Sequence, residues 1–366
     1  MKLQELTDAL EQIAPTRFAE SWDNVGLLVG DPEQPVSRAL LTIDYTAEVA
    51  CEAVGAKADA IIAYHPPIFS ALKRVTSSGT SSAIFDAIRR GVAIYSPHTA
   101  LDVADGGTND VLADVLAMID RSPLKLVETK ATQYKLVTFV PAEHVEKVSA
   151  ALFATGAGRI GDYSSCSFQT RGTGTFFGEE GTKPAVGSAG KLERADEIRI
   201  ETVVPIAKIE SVIRALRQSH PYEEPAFDLN QLAAPPEAIG IGRIGKLPGE
   251  ATADMLINRI KRELDIPHVL VAGDVTRSVR RAAVCAGSCG DLLDEVIAQK
   301  CDFYLTGEMR HHDALKAAAR GVTVVCALHS NTERIALKRL QERLKQALPD
   351  LPTMLSHTDR DPFEIH

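Results

Sequence analysis

The chain has 366 residues, 45% hydrophobic and 24% charged, with a formal net charge of −9. That length implies two or three domains and a sizeable core. The acidic balance argues against a phosphate-tracking nucleic-acid binder. No apolar run has the length of a membrane span, and six cysteines without a Cys-x-x-Cys suit a reduced, cytoplasmic protein.

The N-terminal stretch MKLQELTDALEQIAP places Leu3, Leu6, Ala9, Leu10 and Ile13 on one helical face. It lacks the continuous apolar segment of a signal peptide. WDNVGLLVG follows, and the GDPEQP after it has no phosphate-loop lysine, which excludes a nucleoside-triphosphatase loop. Trp22, the only tryptophan, stands beside Asp23 and Asn24, and packing is its expected role.

From Val36, VSRALLTIDYTAEVACEAVGAKADAIIAYHPPIF reads as apolar strand, turn, amphipathic helix and second apolar strand. VRRAAVCAGSCGDLLDEVIAQKCDFYLTGEMRHH, from Val279, aligns with it without gaps. Lys57 and Lys300 each lie 21 positions after the starting valine, and Asp59 and Asp302 follow two residues later. The repeat resumes in RGVAIYSPHTALD and RGVTVVCALHSNTE, each an Arg-Gly, a strand and a His-x-x-x-carboxylate. These pairs are His98 with Asp102 and His329 with Glu333. The pattern implies βαβ units, a largely parallel sheet and an internal duplication.

Between the halves lies another matched pair, VPAEHVEKVSAALF and VPIAKIESVIRALR, each flanked by strand-like runs. Two βαβ copies suggest a ferredoxin-like α+β domain. Pro123 and AAPPEAIGIG read as linkers. The expected organisation is α/β: a split core of residues 1–129 and 234–366, with residues 130–233 inserted.

Sites in open α/β sheets form outside the carboxyl ends of strands. Four apolar segments end in polar groups there. They bring His65, then His98 with Asp102, then Glu308 with His311 and His312, then His329 with Glu333. Singly each is a solvated loop histidine. As a set, imidazoles with carboxylates are the donors that Zn, Mn or Fe require, and two carboxylates suit a bridged pair of ions. No Gly-x-Ser-x-Gly elbow supports a serine nucleophile. GIGRIG, Gly240 to Gly245, lacks the flanking strand and helix of a dinucleotide fingerprint and reads as a linker or edge segment. Cys285 and Cys289 read as buried small hydrophobes. His220, Glu223 and Glu224 read as a turn held by two prolines. Ser330, Asn331 and Thr332 are suited to cap a helix on which His329 and Glu333 share a face.

WDNVGLLVG, YHPPIF, HTALD, TGEMRHHDAL and HSNTE, in that order across nearly the whole chain, resemble the NIF-three-like family. Its members are labelled GTP cyclohydrolase 1 type 2 homologs or dinuclear metal centre proteins. The middle segment resembles the CutA-like domain of longer members. The resemblance implies a toroidal homohexamer with a metal site facing an internal cavity. It implies His65, Asp102, His329 and Glu333 as ligands of one or two divalent ions, with Glu333 bridging. Tyr64 departs from the histidine found there in many members. A neutral phenol with a pKa of about 10 is a poor ligand, so Tyr64 is a weak ligand or a neighbour of one. His98, His311 and His312 become candidates for orienting a ligand or handling a proton.

The leading expectation is a metal-dependent hydrolase acting on a small nucleotide-like molecule. The family label suggests opening the guanine imidazole ring of GTP with release of formate. Lys73 and Arg74 are placed either to meet phosphate or simply to be solvated, and no other residue is assigned to substrate. The alternatives are a metal storage or delivery protein without turnover, and an interaction scaffold with a structural metal.

Overall fold

The computed structural model describes residues 1–126, 133–232 and 239–364. The expected domain boundaries, after 129 and after 233, fall outside those residues. The chain separates into two compact units, Met1–Val127 with Ala238–His366, and Glu128–Glu237.

The larger unit begins with α1 (Leu3–Ile13), β1 (Gly26–Val29), β2 (Ala39–Thr42), α2 (Ala47–Gly55) and β3 (Ala60–Ala63). It continues with α3 (Ser82–Arg90), β4 (Ala93–Ser96), α4 (His98–Val103), α5 (Thr108–Val115) and β5 (Ile119–Leu126). The inserted unit holds β6 (Gln133–Pro141), α6 (Val145–Ala154), β7 (Ser167–Phe177), β8 (Leu192–Pro205), α7 (Ile209–Ser219) and β9 (Phe227–Gln231). The larger unit resumes with β10 (Gly240–Thr252), α8 (Ala253–Leu264), β11 (Leu270–Ala272), β12 (Ser278–Ser288) and α9 (Leu293–Ala298). It ends with β13 (Phe303–Glu308), α10 (His311–Ala319), β14 (Thr323–Cys326), α11 (His329–Ala347) and β15 (Thr353–Leu355).

Two sheets form the larger unit, with strand orders β1-β4-β3-β2-β15 and β11-β14-β13-β12-β10-β5. In each, three neighbouring strands run parallel, β4-β3-β2 or β14-β13-β12, and an antiparallel strand, β1 or β11, closes one edge. The matched sequence segments therefore occupy matching places. Their shared Lys-x-Asp has a physical basis. Lys57 and Lys300 take left-handed φ values of 54° and 56° just beyond their helices. Asp59 then accepts from the Ser37 and Arg38 amides at 2.8 and 3.2 Å, and Asp302 from the Arg280 and Arg281 amides at 3.0 and 3.1 Å. In each half the aspartate ties the second strand to the entry of the first.

The halves exchange their last elements. The α11 stripe Leu337, Leu340 and Leu344 packs with Leu41 and Ile62 of the first sheet, and β15 pairs in parallel with β2. Reciprocally, Leu112 and Val115 of α5 pack with Val284 and Phe303 of the second sheet, and β5 joins β10. Neither half can bury its core without the other's arm. Among the described residues no helix is long and apolar enough to cross a membrane.

The inserted unit is one antiparallel sheet of order β7-β8-β6-β9. With two helices in βαββαβ order, it has the split βαβ arrangement. Val148 and Leu152 of α6, and Val212 and Leu216 of α7, pack against Leu136, Val140, Ile200 and Val204. The paired sequence stripes are this core.

Two linker expectations are corrected. Pro123 lies within β5, an edge strand, where a missing amide costs no ladder bond on the open side. GIGRIG is neither linker nor edge: it is the start of β10, held between β5 and β12. Its glycines permit close approach of the flanking strands. A Cβ at Gly240 would lie 2.1 Å from Lys125 O, and one at Gly242 (φ +64°) would lie 2.9 Å from Val284 O. Gly242→Ala should therefore lower stability by about 1–3 kcal/mol in a urea titration. An unchanged midpoint would reject the close-approach explanation.

Candidate metal centre

The parallel strands deliver the histidines. His65 lies just past β3, and His329 opens α11 shortly after β14. Strain marks both helix starts: His98 opens α4 with φ +24°, and Leu328 precedes α11 with φ +68°. The hydroxyls and amide of HSNTE do not cap α11, because Leu328 holds the cap position. Instead Ser330 donates to Asp361 at 2.7 Å, Asn331 donates to Ala327 O at 3.0 Å, and Thr332 Oγ1 accepts the Gly287 amide at 2.9 Å.

One turn of helix carries His329 to Glu333. His329 Nε2 lies 3.2 Å from Glu333 Oε1, and His65 Nε2 lies 3.2 Å from Glu333 Oε2. Donor atoms of these three residues all fall within 4.8 Å of one another. Each imidazole is gripped from behind. His65 Nδ1 meets Asp44 Oδ1 at 2.9 Å, and His329 Nδ1 meets Glu308 Oε1 at 3.4 Å. A carboxylate at Nδ1 orients each ring so that its Nε2 faces Glu333.

Glu333 is only 3% exposed. Burial alone would raise its pKa, but the two imidazoles hold it below the usual carboxylate value. Burial alone would lower His65, yet Asp44 and Glu333 override it and raise it to about 10. His329 is raised as well, chiefly by its hydrogen bond to Glu333. No lysine or arginine among the described residues pairs with Glu333, Glu308 or Asp44. The cluster is thus short of positive charge. Glu333 Oε2 is buried and lacks a well-aligned hydrogen bond, while two imidazole nitrogens converge on the same carboxylate. These donors fit a borderline divalent cation.

Asp102 is not part of that triangle. Its Oδ1 accepts a short hydrogen bond from the Tyr64 hydroxyl, which also lies 3.3 Å from Thr108 Oγ1. Tyr64 is completely buried, and burial with the Asp102 and Glu333 charges pushes its pKa well up, so it stays a neutral donor. Burial, opposed by the Tyr64 hydrogen bond and aided by Glu333, raises Asp102 to about 6. His98 turns its Nδ1 to Asp23 Oδ1 at 2.8 Å, with its ring 5.3 Å from that of His65. His311 and His312 are exposed at the start of α10 and contact each other's rings, and neither touches the cluster. In the inserted unit, His220 is buried and paired with Phe139 O and the Tyr222 amide, as a turn histidine should be. Cys285 and Cys289 are buried beside each other, with Cys289 donating to Ala286 O at 3.0 Å.

The sequence matches the family described as Duf34/NIF3 (NGG1p interacting factor 3) over residues 1–362. The chain belongs to the DUF34/NIF3 family. A Halalkalibacterium halodurans relative named GTP cyclohydrolase 1 type 2 homolog is 36% identical, covering 98% of each chain. A Mycobacterium tuberculosis protein of the same name is 38% identical over 86% of this chain and 83% of its own. Among solved structures, a Bacillus cereus protein related to NIF3 has 35% identity and a TM-score of 0.68, covering 100% of this chain and 99% of that one. A Staphylococcus aureus protein has 28% identity and a TM-score of 0.80 at the same coverage.

Two residues of this NIF3 site, Asp44 and Asp23, escape motif reading, and a third, Glu308, is seen without its partner. Asp44 sits just past β2, where the rule of polar groups at strand ends would flag it. Glu308, at the end of β13, was visible as such a group but not as a partner of His329. Asp23, in the Trp22 stretch, accepts from His98, the Thr99 amide and the Thr99 hydroxyl. No local pattern announces that contact.

A pH test follows for the metal-free protein. His65 has its folded pKa raised from 6.5 to about 10. Its contribution is complete below the unfolded value and is lost as pH rises through the folded one. Thermal stability of chelator-treated protein should fall between those two pH values, and His65→Asn should flatten that fall. An equal slope in the variant would reject the assignment.

Proposed function

We propose that the chain is a divalent-metal-dependent hydrolase acting on a small nucleotide-like molecule, with His65, His329 and Glu333 as the metal-holding residues. The observation that carries this is the buried, unsatisfied Glu333 Oε2 set among two oriented imidazoles. A divalent ion there would supply Lewis acidity and lower the pKa of water. The relatives' name, GTP cyclohydrolase 1 type 2 homolog, supports a nucleotide as the substrate class.

The remaining roles fall to the chain's own groups. Asp44 and Glu308 hold the imidazoles in register. Asp102, lifted to about 6, is poised to accept a proton near neutral pH, with Tyr64 fixing its orientation. His98, held by Asp23, is a second proton carrier beside His65. Tyr64 engages Asp102 with a proton, which favours one ion over two. The hexameric assembly, the cytoplasmic setting and the CutA-like kinship of the inserted unit belong to the same reading. A second reading, metal storage or delivery, draws on the solvent access of His329, whose side chain is 37% exposed.

Purified protein loaded with Mn or Zn should hold about one ion per chain. His329→Ala and Glu333→Ala should each lose most of it, while His220→Ala keeps it. Normal metal content in both site variants would reject the site. Turnover of GTP or simple phosphoesters should vanish in Glu333→Ala. Metal that transfers to an acceptor protein without any turnover would select delivery instead.

A further inference from the structure

Trp22 is 58% exposed and Phe69 is 55% exposed, and their ring centroids lie 6.0 Å apart with the planes tilted by 53°, so that a flat group stacks on one ring and meets the other obliquely. Packing is therefore not the main role of Trp22, contrary to the expectation from sequence. Its ring meets His98 edge-on at 6.1 Å, and His98 meets His65 at 5.3 Å. The pair stands two ring contacts from a metal-holding imidazole. Large exposed aromatic groups side by side carry a hydration cost that a bound ligand removes.

The two loops are locked in place. Asp23, with a fully buried side chain, accepts from His98 at 2.8 Å and from the Thr99 hydroxyl at 2.5 Å. Asn24 Nδ2 donates to Ile68 O at 2.5 Å, joining the Trp22 loop to the Phe69 loop. The loops that carry the rings are thus tied to each other and to the start of α4. Lys73 and Arg74, a few residues after Phe69, are exposed and form no ion pair among the described residues. One loop therefore presents an aromatic face and unneutralised positive charge.

We infer that Trp22 and Phe69 form a stacking platform for the flat base of a phosphorylated nucleoside whose polar end reaches toward His65, His329 and Glu333. The assignment rests on the nucleotide-hydrolase reading and adds the residues that hold the base. Stacking tolerates any base, because each has a π face. Phosphate recognition falls to Lys73, Arg74 and the metal-holding cluster.

The single tryptophan makes the platform its own reporter. Metal-loaded protein should show saturable quenching of tryptophan emission with guanosine 5′-monophosphate, and none with ribose 5-phosphate or inorganic phosphate. Trp22→Ala and Phe69→Ala, followed by calorimetry, should each weaken the nucleotide about tenfold or more, with bound metal unchanged. Equal binding of guanosine 5′-monophosphate and ribose 5-phosphate would overturn the platform, as would full affinity in Trp22→Ala or no nucleotide binding at all. A ligand-free emission shift that tracks protein concentration would give the rings to a second copy of the chain and also overturn it. Metal content, measured separately, distinguishes these results from failure of the metal site. Loss of base dependence with metal retained rejects the platform alone.

Discussion

Burial of the Glu333 carboxylate is the constraint around which the larger unit is arranged. At 3% exposure it lies in a medium where an uncompensated charge costs several kcal/mol. Among the described residues no lysine or arginine offsets it. Compensation comes from His65, on the first half of the chain, and His329, on its own helix. Small residues keep the space clear. A Cβ on Gly287 would come within 2.8 Å of Glu333 Oε1, and one on Gly307 within 2.9 Å of His329 Cα. Those glycines close the β12 and β13 ends against the cluster without filling it.

This pairing requires the two halves to be interlocked. β3 belongs to the first sheet and β14 to the second, so His65 and His329 start from different sheets. The exchange of α11 with β15 for α5 with β5 holds those strand ends face to face. Removing the arm that carries Leu337, Leu340 and Leu344 would both open the first sheet's core and withdraw Glu333. Fold stability and site geometry therefore share one helix. This accounts for a site whose donors are contributed by residues more than 200 positions apart.

Much of this was legible because duplication makes the sequence its own comparison. Lys57-x-Asp59 and Lys300-x-Asp302 stand out as a pair, and each proves to be a left-handed turn followed by a strand tie. The His-x-x-x-carboxylate copies likewise mark helix starts at strand ends. Contacts made across the chain were not legible. Asp44 grips His65 and Asp23 grips His98 through distances in sequence that no local period encodes. GIGRIG misled in a different way. Glycine spacing records a need for close approach, but it does not say whether the approaching group is phosphate or a neighbouring strand. Ser330, Asn331 and Thr332 looked like caps because their propensity is real, yet tertiary partners claimed their side chains.

The two copies of the His-x-x-x-carboxylate motif show how equivalent positions diverge in chemistry. In the first copy the polar atoms are engaged by the protein: His98 by Asp23, and Asp102 by Tyr64. In the second, His329 Nε2 and His65 Nε2 converge on the Glu333 carboxylate, whose buried Oε2 lacks a well-aligned hydrogen bond. A cation gains most where donor atoms are oriented but have no competing partner. Tyr64 is decisive here. As a buried phenol it keeps its proton and donates a hydrogen bond to Asp102 Oδ1. Burial, against the pull of the Tyr64 hydrogen bond, leaves Asp102 with a pKa raised to about 6 beside the cluster.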